Sequence, residues 1–281
     1  MNVTTIVLIN GLWVTALSWE NWVKHYTDKG YRVIAANWPG MEGDIEQLWR
    51  DPRTFTRLGL PEVVDHYEQI IRELETAPII IGHGLGGLVT QILLDRGWGA
   101  AGVAIASAPV KGIARLPLSM LKLAFSVLGK SLNNKAASLT AQQFRRAFTN
   151  SLTESESLDA FNRYTVPAPN RVLLQTALAN FSAHSATTVN FRNDTRAPLL
   201  LVAGGEDRVV PSSIVKANFD LYRESKAETD YKEFSDQAHF TLLQETRVAD
   251  YVLGWALRRS NGSKLPAVSN HTDGWSVQLS T

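Results

Sequence analysis

The sequence predicts an α/β fold built on a mostly parallel sheet with helices on both faces, and three observations carry that reading. Six strand-like runs recur along the chain, five of them largely apolar (Val3 to Ile9, Tyr31 to Ala36, Pro78 to Gly82, Ala101 to Ala106 and Pro198 to Ala203) and the last, Thr229 to Phe234, mixed. Stretches with helical spacing separate most of them, and no two-residue hairpin signal joins one run to the next. The first five runs are also nearly continuous in apolar character. A strand with no polar side has both of its faces covered, as in parallel sheets wrapped by crossover helices.

Each element has its own signal. The first run enters a loop at Asn10-Gly11-Leu12-Trp13. Trp19, Trp22, Val23 and Tyr26 then recur at helical spacing as far as Lys29, with Gly30 placed to cap the end. Asn37-Trp38-Pro39-Gly40 stops the second run. Pro61 opens a helix to about Leu74, carrying Val63, Val64, Tyr67, Ile70, Ile71 and Leu74 on one face. The third run turns at Gly82 into a helix reaching Asp95, and the fourth ends at Ser107-Ala108-Pro109. There the rhythm breaks. From Leu116 to Phe191 the chain reads as helix and loop, with Leu118, Leu121, Leu123, Phe125, Leu128, Phe144, Phe148 and Phe161 as its apolar residues. Alternation resumes with strand (198–203), helix (212–223), strand (229–234) and helix (241–258). The organisation expected is therefore a core over 1–113, a helical cap over 114–191, a second part of the core over 192–259, and a tail over 260–281 that Trp275 tacks down.

Composition narrows the function classes. Of 281 residues, 44% are hydrophobic and 20% charged, an ordinary globular balance. A net charge of +1 argues against nucleic acid or an anionic membrane as the main partner. There is no cysteine, which excludes disulfides, thiolate catalysis and Cys-based zinc sites. His25, His66, His184 and His271 have no metal-ligand partners at useful spacing, so neither metal nor cofactor is expected. No run approaches transmembrane length, and the run Ile6 to Ile9 is too short for a signal peptide. A cytoplasmic location is the expectation. The oligomeric state is left open.

Three strand ends carry the residues that could do chemistry, and open α/β sheets bind their ligands at the carboxyl ends of strands. The first is Gly82-His83-Gly84-Leu85-Gly86, a strand–turn–helix junction. This is the frame of a G-x-S-x-G nucleophile elbow with glycine, Gly84, at the tip. The second is Gly205-Glu206-Asp207-Arg208-Val209-Val210-Pro211, after the fifth run. The third holds His239 in Ser235-Asp236-Gln237-Ala238-His239-Phe240, after the sixth run.

With the order elbow, acid, histidine, the chain resembles the α/β-hydrolase superfamily over about residues 3 to 258, close to its capped esterase, lipase and dehalogenase-like members. That resemblance implies an α/β-hydrolase fold with a mostly parallel sheet of about eight strands and a helical cap. It implies Asp207 as the orienting acid, His239 as the base, and the backbone N–H groups of Leu85 and Leu12 as an oxyanion hole. The chain departs from the pattern twice, at Gly84 and at Asn10, where such proteins usually carry a histidine. Removing the serine of a triad costs on the order of 10⁶ in kcat, so slow acyl-enzyme catalysis is not a credible remnant. What survives is a base, its carboxylate and two amide donors. That set suits proton abstraction beside a carbonyl, retro-aldol or elimination chemistry, cyclisation, or activation of water.

The expected substrate is a small, largely apolar carbonyl compound, in a pocket that includes Asn10, Trp13, His83 and Ser107. Trp13 is read as pocket wall or core, His83 as a residue packed behind the chemistry, and Ser107 as a stand-in nucleophile at most. Two alternatives remain open: a serine esterase-like hydrolase whose nucleophile has been replaced, and a ligand-binding member of the fold without turnover.

Overall fold

The computed structural model describes residues 5–113 and 136–260. Six strands form the main sheet: β1 (Thr5–Ile9), β2 (Arg32–Ala35), β3 (Ile79–His83), β4 (Ala101–Ile105), β7 (Leu199–Gly204) and β8 (Thr229–Phe234). They lie in the order β2-β1-β3-β4-β7-β8, and every pair is parallel. Each of the six runs supplies one strand. The expectation of about eight is thereby corrected to six among the described residues. The only others, β5 (Ala136–Ala137) and β6 (Ala168–Pro169), are two residues each and pair antiparallel with one another.

Side-chain alternation explains why both faces are covered. On β1, Ile6 and Leu8 point to one side and Val7 and Ile9 to the other, all fully buried. The first side packs on α1 (Glu20–Asp28) through Trp22 and Tyr26, and on α9 (Thr246–Arg259) through Val248, Val252 and Trp255. The second side packs on α3 (Leu60–Arg72), α4 (Leu85–Asp95) and α8 (Ser212–Leu221). The outer strands are less apolar. β8 reads Thr-Asp-Tyr-Lys-Glu-Phe, and its charges blunt a sheet edge that has no further strand partner among the described residues.

Helix ends match their signals closely. Gly30 takes φ +87°, and the Gly30 and Tyr31 N–H groups close the last turn of α1 on Thr27 and Tyr26. The helix expected over 241–258 is interrupted. A 3₁₀ turn covers Thr241–Leu243 and α9 starts only at Thr246; ahead of the turn the Thr241 hydroxyl accepts the Ala238 N–H at 2.8 Å. The helix α2 (Ile45–Arg50) carries no periodic signal, since six residues make under two turns. Its start rests on Asp44, whose carboxylate accepts the Gln47 N–H at 2.7 Å.

Between β4 and β7 the described residues form helices joined by loops, as the sequence suggests: α5 (Ala141–Ala147), α6 (Glu154–Tyr164) and α7 (Asn170–Ala177). Both α5 and α6 begin with reciprocal caps, Thr140 with Gln143 and Thr153 with Glu156. Of the apolar residues expected there, Phe144 and Phe148 are buried, whereas Leu118, Leu121, Leu123, Phe125 and Leu128 lie outside the described residues, as do Trp275 and His271.

Candidate active site

The elbow is built by close backbone approaches. Its tip, Gly84, joins β3 to α4 with φ +56° and ψ −116°, a conformation that glycine adopts without side-chain strain. Gly86 lies against β1: a Cβ there would stand 2.1 Å from the Ile9 carbonyl oxygen. At Gly84 the case is the reverse. An added Cβ would meet nothing nearer than the Nε2 atom of His239 at 3.6 Å, an ordinary contact. The tip therefore points at the imidazole across open space.

The acid and the histidine come from neighbouring strands, β7 and β8, whose ends align Gly204 with Phe234. Two backbone bonds tie their loops, Gly205 N–H to the Phe234 carbonyl at 2.9 Å and Glu206 N–H to the Gln237 carbonyl at 3.0 Å. Asp207 Oδ1 accepts the N–H groups of Val209 and Val210, both at 2.8 Å. Asp207 Oδ2 lies 2.8 Å from His239 Nδ1, with both side chains buried. An acceptor at Nδ1 fixes the tautomer: Nδ1 carries the proton and Nε2 presents its lone pair.

Behind the imidazole stands His83, its ring centroid 4.5 Å from that of His239. Its Nε2–H donates to the His239 carbonyl at 3.1 Å, and its buried Nδ1 has no partner among the described residues. Burial first, and the neighbouring His239 second, hold the His83 pKa well below the ordinary histidine value, although the bond to the carbonyl acts the other way. His83 is a neutral ring.

A cavity of about 130 Å³ opens in front of this pair. Gly11, Leu12 and Trp13 border it from the first loop, and His83, Gly84 and Leu85 from the elbow. Apart from the two histidines and Thr176 its walls are apolar or backbone. Neither the Leu12 nor the Leu85 N–H has a protein acceptor among the described residues.

Trp13 is wall and anchor together. It holds φ +67°, rare for a bulky residue, while its indole N–H donates to the Ala137 carbonyl at 3.1 Å and its carbonyl accepts the Val166 N–H at 2.9 Å.

Two expected pocket residues do not reach the cavity. Asn10 is fully buried beneath the loop, its amide donating to the carbonyls of Val14 (2.7 Å) and Gly11 (3.2 Å), while its oxygen faces the Tyr67 hydroxyl. A side chain so occupied shapes the loop and does not face a substrate. Ser107 accepts from Gln91 at 2.8 Å and packs under Gly87, so it has no path to the cavity as a nucleophile. Leu173, Thr176 and Ala177 of α7 also border the cavity. Their i, i+3, i+4 spacing marks a helix face, but nothing in it separates cavity wall from plain core.

The model of the Alpha/beta hydrolase family matches residues 6–251, and the chain belongs to that family. Its fold is the α/β-hydrolase fold, a parallel six-stranded main sheet flanked by helices. Among solved structures it is similar to an extracellular α/β-hydrolase from a Paenibacillus species, with a TM-score of 0.66 at 17% identity over 90% of this chain and 98% of that one. It is also similar to a monoacylglycerol lipase from Paleococcus ferrophilus (TM-score 0.62, 20% identity, 91% and 94% covered). A third similar structure is polyneuridine aldehyde esterase (TM-score 0.61, 14% identity, 90% and 99% covered). No curated protein matches the chain in sequence.

Proposed function

We propose that this chain is an enzyme that works without a covalent nucleophile, with His239 as general base and acid, Asp207 as its orienting carboxylate, and Gly84 in the position where relatives carry the nucleophile serine. The observation that carries this reading is the direction of Nε2: Asp207 holds the opposite ring nitrogen, and Nε2 looks over Gly84 with no side chain between. A substrate hydroxyl, an acidic C–H or a water fits there.

The chemistry then follows from the groups in place. For a β-hydroxy carbonyl substrate, Nε2 takes the hydroxyl proton, the Cα–Cβ bond breaks, and the electrons move into an enolate. The Leu12 and Leu85 N–H groups receive its oxygen, and the imidazolium returns the proton to Cα. If water is activated instead, the same two donors hold the tetrahedral oxyanion. Apolar walls favour a small, largely apolar carbonyl compound, and they strengthen each of these polar interactions by excluding solvent.

Turnover of a panel of small esters, enolisable ketones and β-hydroxy ketones tests the reading. His239→Ala is expected to lose roughly 10²–10⁴-fold in kcat, the usual contribution of a positioned acid–base group. Asp207→Asn is expected to lose a similar factor through the wrong tautomer. Full activity in His239→Ala overturns the proposal.

One observation favours a second reading, a serine esterase-like hydrolase whose nucleophile has been replaced. The space at Gly84 accepts a Cβ aimed at Nε2. Under that reading Gly84→Ser gains ester hydrolysis and becomes labelled by a fluorophosphonate, while the unsubstituted chain turns over nothing in the panel.

A further inference from the structure

We propose that the turn Phe148–Asn150, at the end of α5, is the clip that holds the His239 imidazole in place, with Phe148 as a positioning residue. The proposal rests on His239 being the base. It adds how a base is held when the elbow offers it no hydroxyl.

In a full triad the imidazole is tied at both nitrogens, by the acid on one side and the nucleophile on the other. Here Nδ1 has Asp207, and Nε2 faces a glycine. One hydrogen bond is a hinge, so something else must stop the ring from swinging. Two rings lie against it. His83 is one. The other is Phe148, whose ring meets the imidazole edge to face with centroids 5.0 Å apart and planes at 86°.

The backbone of the same turn reinforces this contact. The Phe148 carbonyl accepts the N–H of Phe240, the residue next to the base, at 2.9 Å. Asn150 Nδ2 donates to the carbonyl of Glu206, the residue next to the acid, at 3.1 Å. The Phe148 ring also packs edge-on against Trp13 of the first loop, centroids 5.9 Å apart. One short turn thus touches the histidine loop, the acid loop and the loop of the first oxyanion donor. It is itself anchored, since Thr149 Oγ1 is 2.6 Å from Ser157 Oγ on α6.

Phe148 also borders the cavity, so a loss of turnover alone does not separate positioning from substrate contact. The test reads the base directly in the ligand-free protein: the downfield NMR resonance of the His239 Nδ1 proton and its exchange rate with water. Phe148→Ala is expected to raise that rate about tenfold, the upper end of what one aromatic pair contributes. Phe148→Tyr is expected to keep it near the wild-type value, and Asn150→Ala to raise it less. If Phe148→Ala does not fold, Phe148→Leu, which keeps volume but not the edge-to-face contact, takes its place with the same expectation. An unchanged, equally slow resonance in the alanine or leucine variant overturns the clip and leaves the dyad standing. A wild-type protein without the resonance, or one that keeps it in Asp207→Asn, removes the dyad and the clip with it.

Discussion

Two histidines stand 4.5 Å apart at the heart of this molecule, and their surroundings assign them opposite duties. His239 has a carboxylate at one nitrogen and the cavity at the other; His83 has a carbonyl at one, while its other, buried nitrogen has no partner among the described residues. Protonating His83 would place a charge in a buried position beside a second imidazole, which is why its pKa lies well below the ordinary value. The sign of the stability effect follows. Below about pH 6.5 the unfolded chain protonates this histidine and the folded chain does not, so stability falls as pH falls, by up to about 1.4 kcal/mol per pH unit. The loss continues until pH reaches the depressed folded-state value. His83→Gln removes that contribution. Urea midpoints from pH 7 down to pH 5 are expected to fall less steeply in the variant; parallel curves would show that His83 titrates normally. Its place in the elbow motif is legible in the sequence, but its neutrality is not, because that depends on a carbonyl 156 residues away.

At the scale of elements, the elbow separates glycines that hold the fold from the glycine that opens the site. Gly86 has no room for a Cβ, with the Ile9 oxygen 2.1 Å away, so Gly86→Ala is expected to give no soluble folded protein. Gly84→Ala has the room and meets only the backbone cost of φ +56°, about 1–3 kcal/mol. Soluble yield and urea midpoints check both, and equal behaviour of the two variants contradicts the distinction. The strands and most helices could be read from the chain because burial on both faces leaves unbroken apolar runs, as in Ile79-Ile80-Ile81. What the pattern does not carry is the direction of single polar side chains. Asn10 and Ser107 both sit at strand ends, yet carbonyls and amides inside the protein had already claimed them. The six-residue α2 was equally illegible, since its start depends on one local side-chain bond.

Across the whole molecule, residues far apart in the chain meet because parallel strands deliver every loop to the same edge of the sheet. β1 brings Leu12, β3 brings Gly84 and Leu85, β7 brings Asp207, and β8 brings His239. The residues between β4 and β7 then close over that edge through Ala137, Phe148 and Asn150. The order of the motifs foretold the first convergence. It did not foretell the second, because contacts such as Phe148 with His239 follow no short-range pattern. On the proposed mechanism this assembly turns over a carbonyl compound through His239 with no bond formed to the protein. That mechanism is tested most directly by rapid-quench intact-mass measurement of the unsubstituted chain during turnover of whichever panel compound it accepts. An unmodified mass is expected at every time point, with product formation linear from the first turnover. A mass increase matching an acylated chain, formed in a burst equal to the enzyme concentration, would contradict it.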